Sequence, residues 1–573
     1  MRVVIVDGYT DEPAGLGVPP YLDVYARYVA GAAFTAGVDG VHYFTIDQLR
    51  WDWPSSLRSL ARYDVVVVIA GITTPGKYLG GTPIHIDEIF DIGRVEGPIK
   101  VLGGPVAKFG YGIAGGTVAV PPYKFRRYYD LVVTGDVDLV VYRLLTEGLG
   151  RVSPSETHKD FKLVDEFAWR GARIVTQHPN YGKNLIVELE TYRSCPRYVS
   201  GGCSFCTTVG YGPVVTRDVE GVVKEVEALY AAGVLHFRLG RQADFYTYMA
   251  HDIGKEDFPR PNPAAIERLL VGIRNAAPGL KTLHIDNVNP GTVARWREES
   301  IEVTKLLVKY GTPGNVAAMG VETADPRVVK INNLKVDPEE ALEAIELFTR
   351  YGSVRGRNGM PYLLAGINFV AGLPGETAET YRLNMEFLHQ ILERGLLVRR
   401  VNIRQVLIFP TSRLWPKAKK LTAKLREQKT RFQQFKKWVR EVFDREMLRR
   451  IVPTGTVLRE VFTELHFHNG TYARQVGSYP LLVYIPTRVE LGRYIDVVVA
   501  EHGSRSVLGL PYPLDINRAE KRLLRHLPGL GREKLRAVLR GRPFTSIDDV
   551  KRKVGEGDYL RYVSVQAYIT RRE

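Results

Sequence analysis

"YRSCPRYVSGGCSFCTT" (residues 192–208) contains Cys195, Cys203 and Cys206, which are all the cysteines in a chain of 573 residues. An odd trio of closely spaced thiols, in a chain that otherwise avoids the residue, argues for a metal rather than a disulfide. A structural zinc site is closed by four ligands, and no histidine lies in this loop. A [4Fe–4S] cluster held by three cysteines keeps one iron open for a further ligand. The alternative is a zinc site one ligand short. The residues just before the loop, "NLIVELETY" (184–192), read as a buried strand. The cysteines therefore leave the C-terminal end of a strand, which is where barrel enzymes place their chemistry.

Working outward, candidate strands at 184–190, 234–239, 282–286, 315–321, 364–371 and 401–408 alternate with candidate helices at 217–232, 262–276, 298–310, 337–351 and 376–394. About six such repeats predict a partial (β/α)6 barrel over residues 183–412. Upstream, "RVVIVDG" (2–8) and "YDVVVVIAGI" (63–72) are continuous apolar runs of the kind buried on both faces. Residues 1–150 therefore read as a doubly wound α/β domain, and 151–182 as a polar linker. Downstream lie a basic helical segment (413–453), with one long helix at 417–450, a small β-rich domain (454–514) and a helical end (515–573). The fold class is multidomain α/β.

Net charge is +16 and unevenly spread. Residues 413–450 carry 14 Lys/Arg against 4 Asp/Glu, and residues 515–573 carry 15 against 8. Two cationic segments on a near-neutral remainder point to a polyanion, most simply a nucleic acid; a solvated helix face is the plainer reading. No run reaches about 18 apolar residues, so no membrane-spanning helix is expected. The N-terminus "MRVVIVDGYTDEP" lacks the pattern of a secretory signal. A cytoplasmic location, with thiols kept reduced, is the expectation.

The cysteine loop and the strand ends together resemble the radical S-adenosylmethionine (SAM) superfamily. The usual C-x3-C-x2-C spacing is here C-x7-C-x2-C, and Phe205 keeps the aromatic before the last cysteine. "RLGRQADFY" (238–246) offers Gln242 and Asp244, and "HIDNVNPG" (284–291) offers His284, Asp286 and Asn287. "MGVETADPRVVKINN" (319–333) and "GINFVAGLPGET" (366–377) resemble the elongator-type and methylthiotransferase-type subfamily. By that resemblance Glu322, Thr323 and Gly372 face the cosubstrate. Glu376 and Thr377 either join them or only cap the next helix. The resemblance implies a [4Fe–4S] cluster bound by Cys195, Cys203 and Cys206, SAM as cosubstrate, an electron-donor protein, and a radical reaction of unassigned type. Sulfur insertion by a two-cluster route is disfavoured, because no further cysteines exist.

The N-terminal domain is similar to cobalamin-binding domains, but their Asp-x-His-x-x-Gly is missing. The histidines of residues 1–150 are His42 and His85, neither in that motif, so cobalamin is not expected and the domain reads as degenerate. Residues 454–514 resemble TRAM, the small RNA-binding barrel of methylthiotransferases. "LDINRAEKRLLRHLPGLGREKLRAVLRGRPFTSIDDVKRKVG" (514–555) resembles a helix–hairpin–helix module. There Gly529 and Gly531 would open a backbone nest for a phosphate, with Arg532, Lys534 and Arg536 around it. The chain as a whole is similar to an archaeal type of iron–sulfur oxidoreductase with such a C-terminal module. The leading expectation is a radical SAM enzyme that modifies nucleic acid, RNA favoured over DNA. The alternatives are radical chemistry on a small molecule or protein, with the module as a docking device, and a non-enzymatic iron–sulfur nucleic-acid binder.

Overall fold

The computed structural model describes residues 1–10, 21–72 and 81–565. They form two compact units. The first holds residues 1–353, 362–437 and 477–479; the second holds 354–361, 438–476 and 480 onward.

In the first unit, five parallel strands make the N-terminal sheet. Their order is Gly40–Thr45, Arg2–Asp7, Val65–Ile69, Ile99–Gly103, Leu131–Val132. Val65 to Ile69 are all fully or almost fully buried because helices cover both faces. Helix Val24–Thr35 starts at Asp23, whose carboxylate accepts the Ala26 N–H at 3.0 Å. The stretch read as a linker is structured. Helix Lys162–Gly171 buries Val164, Phe167 and Ala168 against Val24–Thr35. The two helices touch at glycines: a Cβ on Gly31 would lie 1.8 Å from the Phe167 carbonyl, and one on Gly171 2.0 Å from that of Arg27.

Six parallel strands form the partial barrel: Ile186–Glu190, His236–Gly240, the broken strand Thr282–Ile285/Asn287–Val288, Asn315–Glu322, Leu363–Ala371 and Val398–Gln405. The break at Asp286 divides the barrel into two four-stranded sheets: Thr282–Ile285 pairs with His236–Gly240, and Asn287–Val288 with Asn315–Glu322. A partial barrel leaves two open edges. The N-terminal domain covers both. Tyr21–Leu22 pairs in parallel with Ile186–Val187. On the far side Thr117 accepts from Ile408, while Gly116 and Ala119 donate to Val406 and Ile408.

The basic segment is not one helix. Ala418–Glu427 and Lys429–Trp438 break at buried Gln428, whose side-chain amide donates to the Glu376 carbonyl at 3.4 Å. Leu421, Leu425, Phe432 and Phe435 are buried along one side, while Lys417, Lys419, Lys420, Arg426, Lys429 and Arg431 are exposed.

In the second unit, strands Val457–Phe467, Gly470–Gln475, Leu482–Ile485, Ser506–Pro511 and Tyr494–His502 close into a five-stranded barrel. Short helix Lys521–Leu524, a turn, and helices Arg532–Gly541 and Ile547–Val554 follow. Leu523, Leu524, Leu527, Leu530, Val538 and Val550 form their core. The end of the 515–573 region, residues 566–573, lies outside the described residues.

Candidate active site

The widened gap between Cys195 and Cys203 is an ordered turn. Pro196–Ser200 forms a single 3-10 helix, and Gly201 and Gly202 follow at φ +79° and +65°. Buried Arg197 ties the turn down. It donates to the Asn333 carbonyl at 2.8 Å, the Asn333 side chain at 3.0 Å and the Cys203 sulfur at 3.2 Å. Asn333 returns a hydrogen bond to the Gly202 carbonyl at 3.0 Å. The Thr208 N–H points at the Cys206 sulfur from 3.4 Å. Leu414, Leu421 and Leu425 pack with Cys203 and Phe205 from the side of the basic helix.

The three cysteines line one cavity of about 410 Å³ at the C-terminal mouth of the barrel, with Phe205, Asp244, Asp286, Glu322 and Lys335 on its other walls. Among the described residues no three Cys, His, Asp or Glu side chains converge on a single ion. The thiols instead face a shared space, the donor set that a three-cysteine cluster spans. Burial pushes the Cys195 thiol up to about 12 and that of Cys203 up to about 11, so only a cationic partner makes thiolates favourable there.

Other expected residues separate into two groups. Asp244, Asp286 and Glu322 reach the cavity. Asp286 accepts from the Tyr479 hydroxyl at 2.6 Å and pairs with Arg238. Burial raises the Glu322 carboxyl to about 7, against the opposing charge of Lys335. Gln242, His284, Thr323 and Gly372 are not among the lining residues. Gln242 is fully buried, accepting from Thr191 at 3.1 Å and donating to the Leu239 carbonyl at 2.7 Å. His284 accepts the Ser478 N–H at 3.1 Å, and burial lowers it to about 4, so it is neutral. Thr323 bonds Asn384 at 3.1 Å. Gly372, at φ +94°, lies where a Cβ would meet Leu425 at 2.2 Å. Glu376 accepts from the Gly372 and Leu373 N–H groups, and Thr377 caps helix Ala378–Glu393. Neither is among the residues lining the cavity.

Sequence reasoning missed Lys335, Arg238, Arg404, Asn368 and Tyr479, which all line the cavity. Arg238 had a signal, being the one arginine or lysine of strand His236–Gly240, whereas Arg404 did not stand out, since its strand Val398–Gln405 also carries Arg399, Arg400 and Asn402. Tyr479 had none, since it comes from a segment far downstream.

In the second unit, Gly529 sits at φ +79°, and a Cβ there would lie 2.9 Å from the Tyr559 nitrogen. Gly531 precedes helix Arg532–Gly541 with open space around it. Arg532 and Arg536 are exposed, whereas Lys534 turns back to the Glu556 carbonyl.

The model of the Radical SAM superfamily matches residues 161–388, the span that holds the cysteine loop and most of the barrel. The chain carries a radical SAM domain. A protein of Archaeoglobus fulgidus is 42% identical over 99% of both chains, and one of Methanocaldococcus jannaschii is 44% identical over 89% of this chain and 93% of its own. The ribosomal protein uS12 methylthiotransferase RimO of Elusimicrobium minutum is 24% identical over 46% of this chain and 60% of its own. Among solved structures, the radical SAM methyltransferase TsrM of Kitasatospora setae, with cobalamin and a [4Fe–4S] cluster bound, aligns with a TM-score of 0.47 at 16% identity, over 72% of this chain and 74% of its own. Radical SAM membership implies a [4Fe–4S] cluster and SAM. The three cysteines fit the first, and the polar cavity beside them has room for the second. No helix among the described residues is long and apolar enough to cross a membrane.

Proposed function

We propose that this radical SAM enzyme modifies a nucleic acid, and RNA in preference to DNA. When bound, the cluster and SAM supply a 5′-deoxyadenosyl radical. This chain's residues hold and orient them: the three cysteines take the cluster, while Asp244, Glu322, Lys335 and Asn368 present paired polar groups to the cosubstrate. One observation carries the substrate class. Helix Ala418–Glu427 packs its apolar stripe beside the cysteine loop and leaves its cations outward. A polyanion drawn to that helix by charge arrives next to the cavity. The exposed Arg532 and Arg536 beside Gly531 would add phosphate contacts of the helix–hairpin–helix type, and they provide affinity rather than sequence recognition.

Cobalamin is not part of this reading. The His42 ring bonds the Tyr63 hydroxyl at 2.7 Å, and His85 sits at the start of helix Ile86–Gly93. Neither lines the cavity. Sulfur insertion of the two-cluster kind is also left out, since the chain has three cysteines.

The test is anaerobic. The reconstituted protein is given dithionite and SAM, with and without bulk archaeal tRNA, and 5′-deoxyadenosine is measured. Cleavage stimulated by tRNA supports the reading. Cleavage indifferent to any nucleic acid removes the substrate class and leaves a small-molecule or protein substrate.

A further inference from the structure

Next to the cysteine cavity lies a second, smaller one of about 170 Å³. The N-terminal domain supplies Thr10, Tyr21 and Tyr25 to it, and the barrel with its cysteine loop supplies Ser194, Tyr211 and Arg241. Thr208, Asp286 and Asn287 belong to the walls of both cavities, so the two adjoin. Sites for whole small molecules begin at roughly 300 Å³. The smaller space therefore suits one group of a molecule whose remainder lies in the larger.

Arg241 is held there in a strained geometry. Its backbone is left-handed, at φ +64°, and so is that of Ser194, at φ +81°. Neither residue type favours that region, and such strain persists only where the surrounding structure imposes it. Here it turns the guanidinium over the Tyr25 ring, 4.0 Å from its centroid, with the Tyr211 ring at 5.7 Å. Arg241 Nη2 reaches Glu190 only from 3.4 Å. Both oxygens of that carboxylate already accept from Arg193, at 3.0 and 2.9 Å. Among the described residues, Arg241 Nη1 is buried with no hydrogen-bond partner. Stacking on Tyr25 places the side chain but does not use that nitrogen, and a buried cationic donor left open is costly. The Tyr25 and Tyr211 hydroxyls bond each other at 2.8 Å. Each phenol brings one proton and their bond uses one, so the pair also has a proton to give. The carboxylates that border the pocket, Glu188 and Asp286, are already engaged. Among the described residues, then, the pocket has donors to spare.

We propose that this pocket binds an oxyanion of the substrate, taken by Arg241 Nη1 and the tyrosine pair. A guanidinium edge with a phenol O–H beside it matches two oxygens of a phosphate. The inference rests on the nucleic-acid reading above for the source of that group and deepens it: the oxyanion is the phosphate beside the nucleotide being modified. With the phosphate in the smaller pocket, the nucleotide passes Thr208, Asp286 and Asn287 and its base enters the cysteine cavity. No covalent step is involved. The pocket sets how far the base reaches in.

The experiment uses the full reconstituted chain, with iron content and melting temperature checked for each variant. Equilibrium dialysis of radiolabelled inorganic phosphate at fixed ionic strength gives the number of sites and their Kd. Cationic surface sites add to the total but do not depend on Arg241. In Arg241→Gln about one equivalent of bound phosphate is expected to be lost, its Kd rising roughly tenfold or more. The double variant Tyr25→Phe/Tyr211→Phe keeps both rings and removes both hydroxyls. It is expected to raise the same Kd roughly threefold or more, and it is read alone should Arg241→Gln melt early. Parental stoichiometry and Kd in both variants would overturn the pocket. Fluorescence anisotropy of labelled tRNA then tests the source. A Kd for tRNA that rises roughly fivefold or more in Arg241→Gln supports a phosphate of RNA. Parental tRNA affinity in a variant that has lost phosphate overturns that source. A parent that binds phosphate in the pocket but binds no RNA overturns the nucleic-acid reading and keeps the pocket, so the failures are told apart.

Discussion

Gly320 offers a direct test of the cavity. It lies within strand Asn315–Glu322, where an added Cβ would sit 2.1 Å from a Glu322 carboxylate oxygen and 2.6 Å from the Lys335 ammonium. Ordinary van der Waals contact begins at 3.4 Å, so Gly320→Ala must displace both side chains. The displaced atoms are flexible ends facing open space, and the backbone at this position suits alanine. The fold should therefore tolerate the change, with a melting shift within about 2 °C. Cosubstrate binding should not. A hydrogen bond to a charged group contributes about 1.5–3 kcal/mol, so losing one such contact weakens SAM by roughly 10- to 100-fold. The assay is equilibrium dialysis of labelled SAM against the anaerobically reconstituted protein, with iron content confirming an intact cluster. An intact cluster and a Kd within twofold of the parent would refute the roles given to Glu322 and Lys335.

Other expected outcomes concern charge and burial. Asp23 is raised to about 8, first by burial and then by the charge of Asp7. A carboxyl whose folded pKa is raised favours folding at low pH and loses that advantage as pH climbs from about 4 to 8. Asp23→Asn keeps the helix cap, so calorimetry should show its melting temperature gaining on the parent through that range. Buried His178, His236 and His284 are lowered to about 3, 3 and 4. Their folded pKa values are depressed, so stability should fall as pH drops from about 6.5 to 4, visible as an acid-side decline in melting temperature. Glu225 bonds both Arg27 and Arg217, all three fully buried. Glu225→Gln leaves them short of a counter-charge at a cost of about 3–5 kcal/mol, read as a clear drop in melting temperature. Replacing Lys417, Lys419 and Lys420 by alanine should lower the salt slope of RNA binding by about 2 while 5′-deoxyadenosine formation without RNA stays unchanged.

The barrel was legible in the sequence because its strands are short apolar runs spaced by amphipathic helices; all six candidate strands and five candidate helices correspond to elements of the structure. The side-chain directions at the strand ends were not legible, and two residues show why. Arg241 and Glu322 have φ of +64° and +67°. In each case the next residue folds back, with Gln242 N–H on Gly240 O and Thr323 N–H on Val321 O, both at 2.8 Å. That reversal sends Gln242 and Thr323 into packing and breaks the alternation on which a strand-end reading depends. Residues 151–182 misled for another reason. Val164, Phe167 and Ala168 make a one-sided stripe too short to stand out from its polar surroundings. Tyr21–Leu22 and residues 116–119 are too brief to have any period at all.

Those two brief segments have a consequence for how the chain comes together on the ribosome. The N-terminal sheet can form as soon as it emerges. Its two projecting segments must then wait for partners made much later, Ile186–Val187 first and Val406–Ile408 only after the whole barrel has been synthesised. Pairing between such distant residues is slow, and the waiting segments and bare barrel edges are open to the wrong neighbour meanwhile. The stretch just after the barrel's last strand is thus a checkpoint: until residues 406–408 engage, the second projecting segment of the N-terminal domain and the far edge of the barrel stay unpaired.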